Sequence, residues 1–387
     1  MAWALTPLTE DQREIQRVAQ EFAAREIAPF SDAWDRDQYL EPEIVRKLGE
    51  LGFLGMLVPE RYGGLGLDTL TYLVALEEIA SVDASVAVVM SVHNSLPTQM
   101  ILRWGTEEQK ERFLPGMARG DLLGAFALSE PDAGSDAASL RTQAVRDGDC
   151  WVLNGTKAWV SSGPQAGVVL AMARTDSPRE RRGPRGISAF ILTPDLPGYH
   201  IGKKEDKMGL RASPTVQLVF ENLRVPAANL LGTEGSGFIY AMQSLDNGRL
   251  GIAAQAIGIA QAALRYASKY AGERKQFGKL IKEFQAIQFK LADIATRVSA
   301  GRALLHAAAT AKDRGEEVTQ FSAMAKLFAS ETAMIATTEA IQIFGGYGYV
   351  KDYPVERLFR DAKVTEIYEG TSEIQKIVIA RELYSHA

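Results

Sequence analysis

The spacing of hydrophobic and polar residues at the start of the chain is helical. Thr9–Gln12 has the form of a capping box, in which two side chains satisfy free backbone amides of a helix N-terminus. Apolar residues recur at helical spacing from Ile15 to Phe22, and Pro29 marks the expected end of this helix. Pro42 begins a second short helix, which Gly52 ends.

Helical patterns continue as far as residue 120. They cover residues 69–81 and 84–104, and the capping box Thr106–Gln109 precedes a helix that runs to Gly120. The uncharged run Ala84–Leu102 has the length of a membrane span, but it contains serines, a histidine, an asparagine and a proline. A buried helix explains this run better, and we expect no membrane insertion.

The pattern changes to short apolar runs separated by turn residues after Gly120. The predicted strands are Leu122–Leu128, Trp151–Leu153, Gly167–Ala173, Ile187–Leu192 and Thr215–Phe220. Asn154-Gly155 and Pro197-Gly198 are predicted turns. Because no helical pattern separates the strands, an antiparallel sheet or barrel is favoured over a Rossmann-type parallel sheet.

Helical patterns return at about Ser236 and continue to the end of the chain. An Ala- and Gly-rich stretch covers residues 251–271, and long patterns follow at 283–313 and 319–344, with Gly301 and Gly315 as expected breaks. The capping box Ser372–Gln375 predicts the last helix. The predicted domains are an all-α domain at 1–120, a β domain at 121–233 and a helical domain at 234–387.

Composition is that of an ordinary globular protein: 387 residues, 46% hydrophobic, 24% charged, with a net charge of −5. This charge gives no reason to expect nucleic acid as a partner. Cys150 is the only cysteine, so an internal disulfide is excluded and a reducing compartment fits. Residues 1–30 carry acidic residues and do not have the form of a signal peptide, so we expect the cytoplasm, or an organelle matrix for a processed form.

Several common chemistries lack their motifs. The histidines have no pairing at metal-ligand spacing, so no metal site is predicted; they are His93, His200, His306 and His386. There is no G-x-S-x-G nucleophile elbow and no G-x-G-x-x-G loop after a strand. Gly272–Lys279 has the wrong spacing for a phosphate loop. A redox cofactor, if present, is held in another way.

Four segments, in order, resemble the motifs of acyl-CoA dehydrogenases. They are Phe126–Asp136 (FALSEPDAGSD), Leu245–Ala253 (LDNGRLGIA), Glu273–Gly278 (ERKQFG), and the C-terminal set formed by Gln342–Tyr349 (QIFGGYGY), Arg360–Ala362 and Ile367–Gln375 (IYEGTSEIQ). The resemblance covers essentially the whole chain and is greatest to short-chain, butyryl-type members. It implies an N-terminal helical domain, a central β domain and a C-terminal four-helix bundle, assembled as a homotetramer that binds FAD.

The resemblance also implies where FAD binds. A first group of residues would line the flavin: Phe126, Leu128, Ser129, Gly134, Ser135, Trp159, Val160 and Ser161. A second group would hold the dinucleotide, partly across a subunit boundary: Arg274, Gln276, Phe277, Gln285, Gln342, Gly345, Gly346, Thr371 and Glu373. The guanidinium of Arg274 suits a pyrophosphate. Without the resemblance, the segment around Trp159 is simply an amphipathic strand, and that around Arg274 an exposed turn.

Acyl-CoA is the substrate that the resemblance implies, with contacts from Ser135, Asp246, Arg249, Tyr368 and Gly370. Asp246 and Arg249 are also three residues apart on a predicted helix, so a plain salt bridge is a serious alternative. The arginines around the predicted turn after residue 173 could contact CoA phosphates, but a solvated loop is favoured; they are Arg174, Arg179, Arg181, Arg182 and Arg185.

Glu369 matches the catalytic base of the family. Such a base removes the α-proton of the thioester while the β-hydrogen leaves as hydride to the flavin, giving a trans-2-enoyl-CoA. Some relatives carry the base on a bundle helix instead, but here no Glu occurs between Glu234 and Glu273. Burial should raise the pKa of Glu369 and the following helix N-terminus should lower it, and the sequence leaves the balance open.

Electron-transfer flavoprotein is the acceptor that the resemblance implies, in fatty acid β-oxidation. Two other functions stay open. One is an acyl-CoA oxidase that uses oxygen, although the chain lacks the long C-terminal extension typical of that class. The other is a non-catalytic homologue that binds acyl-CoA or flavin. Acyl chain length and branching are not predicted by these motifs.

Overall fold

The computed structural model describes residues 7–177 and 183–385, and its elements follow the predicted order of helices, strands and helices. The N-terminal helices are α1 (Glu10–Phe22), α2 (Ser31–Asp37), α3 (Pro42–Glu50), α4 (Thr69–Ala80), α5 (Ala84–His93), α6 (Gln99–Trp104) and α7 (Glu107–Arg119). Sequence analysis predicted most of them and missed α2. Short π-helical turns extend α1 to Ile27 and join α5 to α6.

Capping side chains explain where the helices begin. Thr9 accepts a hydrogen bond from the Gln12 amide at 3.2 Å, and the Gln12 side chain accepts one from the Thr9 amide at 3.0 Å. Thr106 and Gln109 form the same reciprocal pair ahead of α7. Gly120 ends α7 with a φ of 83°, a left-handed conformation that favours glycine. The predicted capping boxes at Thr9 and Thr106 are therefore confirmed.

The apolar run Ala84–Leu102 lies in the interior, as predicted. Every residue of α5 is buried, and polar side chains just after it hydrogen-bond to backbone groups around them. Asn94 donates to the Phe53 and Met90 carbonyls at 2.9 and 3.0 Å, and Thr98 donates to the His93 carbonyl at 2.6 Å. Among the described residues, no helix is both long and apolar enough to span a membrane.

A central sheet follows the helices. Its strands are β1 (Leu123–Ala127), β2 (Gln143–Asp147), β3 (Cys150–Ser161), β4 (Ala166–Arg174), β5 (Ile187–Leu192), β6 (Tyr199–Lys204), β7 (Thr215–Pro226) and β8 (Leu230–Leu231). The order is β6-β7-β3-β2-β4-β5-β8, with β1 beside β4. Most neighbours are antiparallel, as predicted, but β1 pairs with β4 in parallel and β2 touches β4 in parallel at Gln143.

The predicted turn at Asn154-Gly155 is wrong, because both residues lie inside β3. The pairing of β3 with β7 shifts register there, which marks a bulge. Gly155 fits because its φ is 152° and because a Cβ there would overlap Thr142. The Asn154 side chain accepts a hydrogen bond from the Asn222 amide at 2.8 Å. These residues bend a long strand, whose far end carries Trp159.

The C-terminal domain is a helical bundle. Its helices are α8 (Gly237–Glu273), α9 (Gln285–Asp313), α10 (Thr319–Phe344), α11 (Val355–Thr365) and α12 (Ser372–Ser385), and a hairpin of β9 (Lys275–Gln276) and β10 (Lys279–Leu280) joins α8 to α9. Gly315 ends α9 as predicted, with a φ of 79°. Gly301 does not break α9; it is buried where a Cβ would press on Ile257 of α8. The sequence pattern did not indicate α11.

Buried and half-buried charges connect the three parts of the chain. Arg360 of α11 donates to Asp35 of α2 at 2.7 Å, and to the Met208 carbonyl at 3.1 Å. Asp361 accepts the Leu210 amide at 2.6 Å. Burial raises the pKa of Asp361 to about 7. These contacts fix α11 against the β domain and the N-terminal domain, and α11 leads directly into the turn that carries Glu369.

Candidate active site

Glu369 lies in the turn between α11 and α12. Its φ is 52°, a left-handed conformation that is uncommon for a residue with a side chain. The residue is half-buried, but both carboxylate oxygens are inaccessible to solvent and have no hydrogen-bond partner among the described residues. A buried polar atom without a partner is costly, and such atoms concentrate at functional sites.

The backbone of α8 forms the floor beneath this carboxylate. A Cβ at Gly248 would overlap the Oε2 atom of Glu369, so only glycine allows the carboxylate to lie there. One helical turn further, a Cβ at Gly251 would overlap the Ser91 hydroxyl and lie 3.5 Å from the Tyr72 hydroxyl. Glu369, a serine and a tyrosine therefore lie over one face of α8.

Charges around Glu369 act in opposite directions. Burial raises its pKa to about 7, while Lys326 on α10 and Arg249 on α8 act to lower it. Arg249 is itself buried, donates to Asp246 at 2.6 Å and leaves its Nε atom without a partner. Asp246 also accepts from Thr319 at 3.0 Å. The predicted salt bridge is therefore present, and it holds a guanidinium close to the candidate base.

Side chains hold the turn from both ends. Tyr368 donates to Gln255 at 2.5 Å, and Gln255 donates to the Ala84 carbonyl at 2.8 Å. The Thr371 hydroxyl accepts the Ile374 amide at 3.3 Å, so Thr371 caps α12; Ser372, the predicted capping residue, has a buried hydroxyl without a partner. Helix α12 is therefore capped one residue earlier than predicted.

Residues predicted for the flavin ring meet where β1 ends beside β3. The Ala158 amide donates to the Ser129 carbonyl at 2.9 Å, which brings these two segments together. Trp159 has a φ of 61° and leaves 63% of its side chain exposed. Val160 is fully buried in the β core and presents no surface of its own. Phe126, Ser129 and Ser161 are half-buried, Leu128 is buried, and Gly134 and Ser135 are exposed on the turn after β1.

A buried ion pair lies beneath the residues predicted for the flavin ring, and the sequence patterns did not indicate it. Lys157 donates to Glu130 at 2.8 Å and to the Leu128 carbonyl at 3.1 Å, with no exposed surface of its own. Glu130 accepts the amides of Arg141 and Thr142 at 2.6 and 2.9 Å. This network fixes the backbone around Ser129. The only indication in the sequence was a lysine between apolar neighbours.

Much of the second group of predicted residues lies elsewhere, around the β9–β10 hairpin, whereas Thr371 and Glu373 lie at the start of α12. A cavity of about 830 Å³ is lined there by Arg274, Gln276, Gly345, Gly346 and aromatic residues of α8 and α10. Gly345 has a φ of 61°, and no atom lies within 4 Å of a Cβ built at either glycine. Phe277 is 92% exposed. Gln285, Gln342 and Glu373 are exposed as well.

These two surfaces fit the two ends of a flavin dinucleotide. The exposed indole of Trp159, on the strand that also carries Ser161 and next to the segment of Ser129, suits a planar ring that is apolar on its faces and polar at its rim. The open glycines and the Arg274 guanidinium suit a pyrophosphate. Trp159 and Glu369 do not line the hairpin cavity. The surface around Trp159 and the surface around the hairpin cavity are therefore separate on one chain.

Other predicted features have plain structural explanations. His93 is buried, accepts the Gly124 amide at 2.9 Å and contacts the Met117 carbonyl at 3.1 Å. No cluster of potential metal ligands occurs among residues 7–177 and 183–385. Arg174 does not belong to a solvated loop; it is buried against Asp176 at 3.0 Å. Arg179, Arg181, Arg182 and His386 lie outside the described residues.

Comparison with known proteins identifies the family. Residues 9–121, 125–223 and 235–384 match family models described as the N-terminal, middle and C-terminal domains of acyl-CoA dehydrogenase. The chain belongs to the acyl-CoA dehydrogenase family, whose members are oxidoreductases that act on the CH–CH bond of acyl-CoA and depend on FAD. The resemblance stated from the motifs is confirmed.

Several relatives are similar over nearly the whole length. The mitochondrial short-chain specific acyl-CoA dehydrogenase of Mus musculus is 50% identical over 376 residues, which cover 97% of this chain and 90% of the relative. The structure of butyryl-CoA dehydrogenase from Megasphaera elsdenii is 45% identical with a TM-score of 0.96, covering 98% and 99%. A chain in a structure reported for the electron transferring flavoprotein of Acidaminococcus fermentans is 48% identical with a TM-score of 0.96, covering 97% and 98%.

Proposed function

We propose that this protein is a short-chain acyl-CoA dehydrogenase in which Glu369 removes the α-proton of the thioester. The observation that carries the proposal is the Glu369 carboxylate, buried, without a partner, and with a pKa raised to about 7 by burial. When the pKa of a base lies close to the working pH, a large fraction of the base is ionised and it still binds a proton strongly enough to drive proton transfer. FAD, when bound, supplies the acceptor for the hydrogen that leaves the β-carbon as hydride, so the product is a trans-2-enoyl-CoA.

The remaining residues of the site have supporting roles in this proposal. Trp159, Ser129 and Ser161 would hold the flavin ring, and Arg274 would hold the pyrophosphate. Arg249 and Tyr368 would shape the substrate side of the pocket around Glu369. The short acyl chain is inferred from the names of the mouse and Megasphaera relatives.

Exchange of the base tests the proposal. Glu369→Gln removes the proton acceptor and keeps nearly the same volume, so the purified variant should remain yellow with FAD. Anaerobic butyryl-CoA should bleach the wild-type flavin, and faster than longer straight-chain acyl-CoA does. The variant should bleach at least about 10³-fold more slowly, since it loses general base catalysis. Normal bleaching in Glu369→Gln would exclude this residue as the base.

Electron-transfer flavoprotein is the electron acceptor that we propose, and a homotetramer is the assembly. The similarity to a chain from an electron transferring flavoprotein structure supports the first. Large exposed aromatic side chains on the C-terminal domain, Phe277, Phe289, Tyr349 and Tyr384, support the second, because such residues are commonly covered in an assembly. The cytoplasm is the proposed compartment; the mouse relative is named as mitochondrial.

An oxidase remains the alternative within the same chemistry. It would pass the same electrons to oxygen, so hydrogen peroxide would accumulate with butyryl-CoA in air. Turnover that needs the flavoprotein acceptor and gives little peroxide supports the dehydrogenase. A protein that binds FAD and is not bleached by any acyl-CoA would instead be a non-catalytic homologue.

A further inference from the structure

Lys326 is a buried lysine on α10 directly beneath the turn that carries Glu369. Its side chain has no exposed surface, and its ammonium nitrogen donates to the Gly370 carbonyl at 2.8 Å. Burial of an ammonium group costs several kcal/mol unless nearby negative charge or hydrogen bonds compensate. A neutral donor would suffice to hold a carbonyl, so the charge at this position calls for a separate reason.

The charged surroundings of Lys326 supply that reason. Glu369, Glu366 and Glu373 face it with negative charge and Arg249 with positive charge, and Glu369 has the largest effect among them. Within the described residues, neither Lys326 nor Glu369 has a salt-bridge partner within 4.0 Å. Lys326 therefore contacts the turn through Gly370 and acts on the neighbouring carboxylate through space.

We propose that Lys326 is a positioning residue for the base: its ammonium group holds the Gly370 carbonyl, and its charge stabilises the ionised Glu369 carboxylate. The inference rests on the proposed role of Glu369 in proton removal. The hydrogen bond helps to keep Glu369 in its left-handed conformation, with the carboxylate over Gly248. The charge offsets the burial that would otherwise keep the carboxylate protonated at neutral pH.

The structure offers a matched control on α12. Gln375 is fully buried, and its side-chain amide donates to the same Gly370 carbonyl at 2.8 Å and to the Glu369 carbonyl at 3.3 Å. Gln375 thus makes the same kind of contact with the same acceptor and carries no charge. A purely mechanical role for Lys326 predicts that loss of either residue has the same consequences.

The expected pH dependence follows from the groups that face Glu369. Lys326 on α10 and Arg249 on α8, itself paired with Asp246, lower the pKa of Glu369, and burial raises it. Tyr72 on α4 and the adjacent Tyr368 are buried phenols whose pKa values are raised, so they stay neutral near pH 7. Loss of the Lys326 charge removes one lowering influence. The pKa of Glu369 then rises, and ionisation requires a higher pH.

The experiment compares Lys326→Met with Gln375→Met in the FAD-loaded enzyme. The rate of flavin bleaching by butyryl-CoA is measured by anaerobic stopped flow from about pH 5.5 to 9.5. This range extends roughly two pH units on either side of the pKa of a base that titrates near pH 7. An isotope effect with α-deuterated substrate shows that proton removal is being followed. In Lys326→Met the acid limb of the plot of bleaching rate against pH should move up by roughly one pH unit. The bleaching rate should therefore fall about tenfold at low pH and recover at high pH. Gln375→Met should leave the limb in place.

Two further variants keep the test decisive. Lys326→Gln retains a donor for the Gly370 carbonyl without the charge, and it should shift the limb as Lys326→Met does, even if the methionine variant fails to fold. Lys326→Arg retains the charge and should restore the wild-type limb. Equal loss at every pH in the neutral variants, or equal behaviour of Lys326→Met and Gln375→Met, would overturn the role of the charge.

Failure of the base assignment gives a different result. In that case Glu369→Gln is bleached normally, whatever the Lys326 variants do. If instead Glu369→Gln is inactive and the pH profile of the neutral Lys326 variants matches that of the wild type, Glu369 remains the base and only the inference about Lys326 is wrong.

Discussion

Glu369 and Gly248 depend on each other at the scale of single residues. The turn places Glu369 in a left-handed conformation, and the carboxylate then lies directly on the backbone of α8. Any side chain at position 248 would compete for the same space. The sequence predicts Glu369 as the base, because it lies in a recognisable motif. The sequence did not predict the contact between Glu369 and Gly248, because the two residues are far apart in the chain and meet only when the helices pack.

We predict that Gly248→Ala displaces the carboxylate and slows proton removal. A shift of about 1 Å in a reacting group costs roughly 10²-fold in rate, so kcat with butyryl-CoA should fall by about that factor while FAD content stays unchanged. Gly272→Ala is the control on the same helix, since no atom lies within 4 Å of its added Cβ. The contact would be unimportant if both variants turned over at the wild-type rate.

Elements, rather than single residues, determine where the residues predicted for the flavin ring lie. The end of β1 and the end of β3 are about thirty residues apart in sequence, and they meet because the Lys157–Glu130 pair joins them. The sequence predicted a strand on each side. It could not predict that a lysine points inwards, because a one-residue change of register reverses the face of every side chain, and the bulge at Gly155 changes the register of β3.

We predict that Lys157→Met weakens both the fold and the flavin site. Loss of one partner leaves Glu130 buried and unpaired, which costs about 3–5 kcal/mol of unfolding free energy. The backbone around Ser129 loses its support, so FAD should dissociate more readily. Thermal melting of the FAD-loaded protein and fluorescence of released flavin measure the two effects. Lys376→Met, which breaks the exposed Lys376–Glu331 pair, should change stability by less than about 1 kcal/mol.

Prediction of the other elements succeeded where the signal was local. Capping boxes at Thr9 and Thr106 set helix starts through contacts within four residues, so the sequence was sufficient. Helices α2 and α11 were missed because tertiary contacts stabilise them: Asp35 of α2 and Arg360 of α11 bind each other. Gly301 was misread as a break because its close packing against Ile257 depends on a second helix.

At the scale of the whole molecule, the β9–β10 hairpin presents Phe277 with 92% of its surface exposed. Phe277 packs edge-on against Phe284 and is otherwise open, and Arg274 lies over the Tyr347 ring at 5.4 Å. Lys279 lies over the Phe284 ring at 4.3 Å. The hairpin is thus an aromatic and basic projection. Composition alone did not show this, because it counts aromatic residues and does not say which are exposed.

We predict that Phe277→Asp breaks the proposed tetramer and releases FAD in the same step. A negative charge at the tip of the hairpin opposes both an apolar partner surface and a pyrophosphate, and loss of a central aromatic contact costs about 2 kcal/mol or more. Sedimentation should show a smaller species, and FAD should dissociate at least about tenfold faster. Tyr39→Asp, at an exposed aromatic of the N-terminal domain, is the control and should change neither. A tetramer of Phe277→Asp with full FAD content would mean that the hairpin serves neither assembly nor the cofactor. A smaller species that keeps its FAD would separate the two roles, because the dinucleotide would then bind within a single chain.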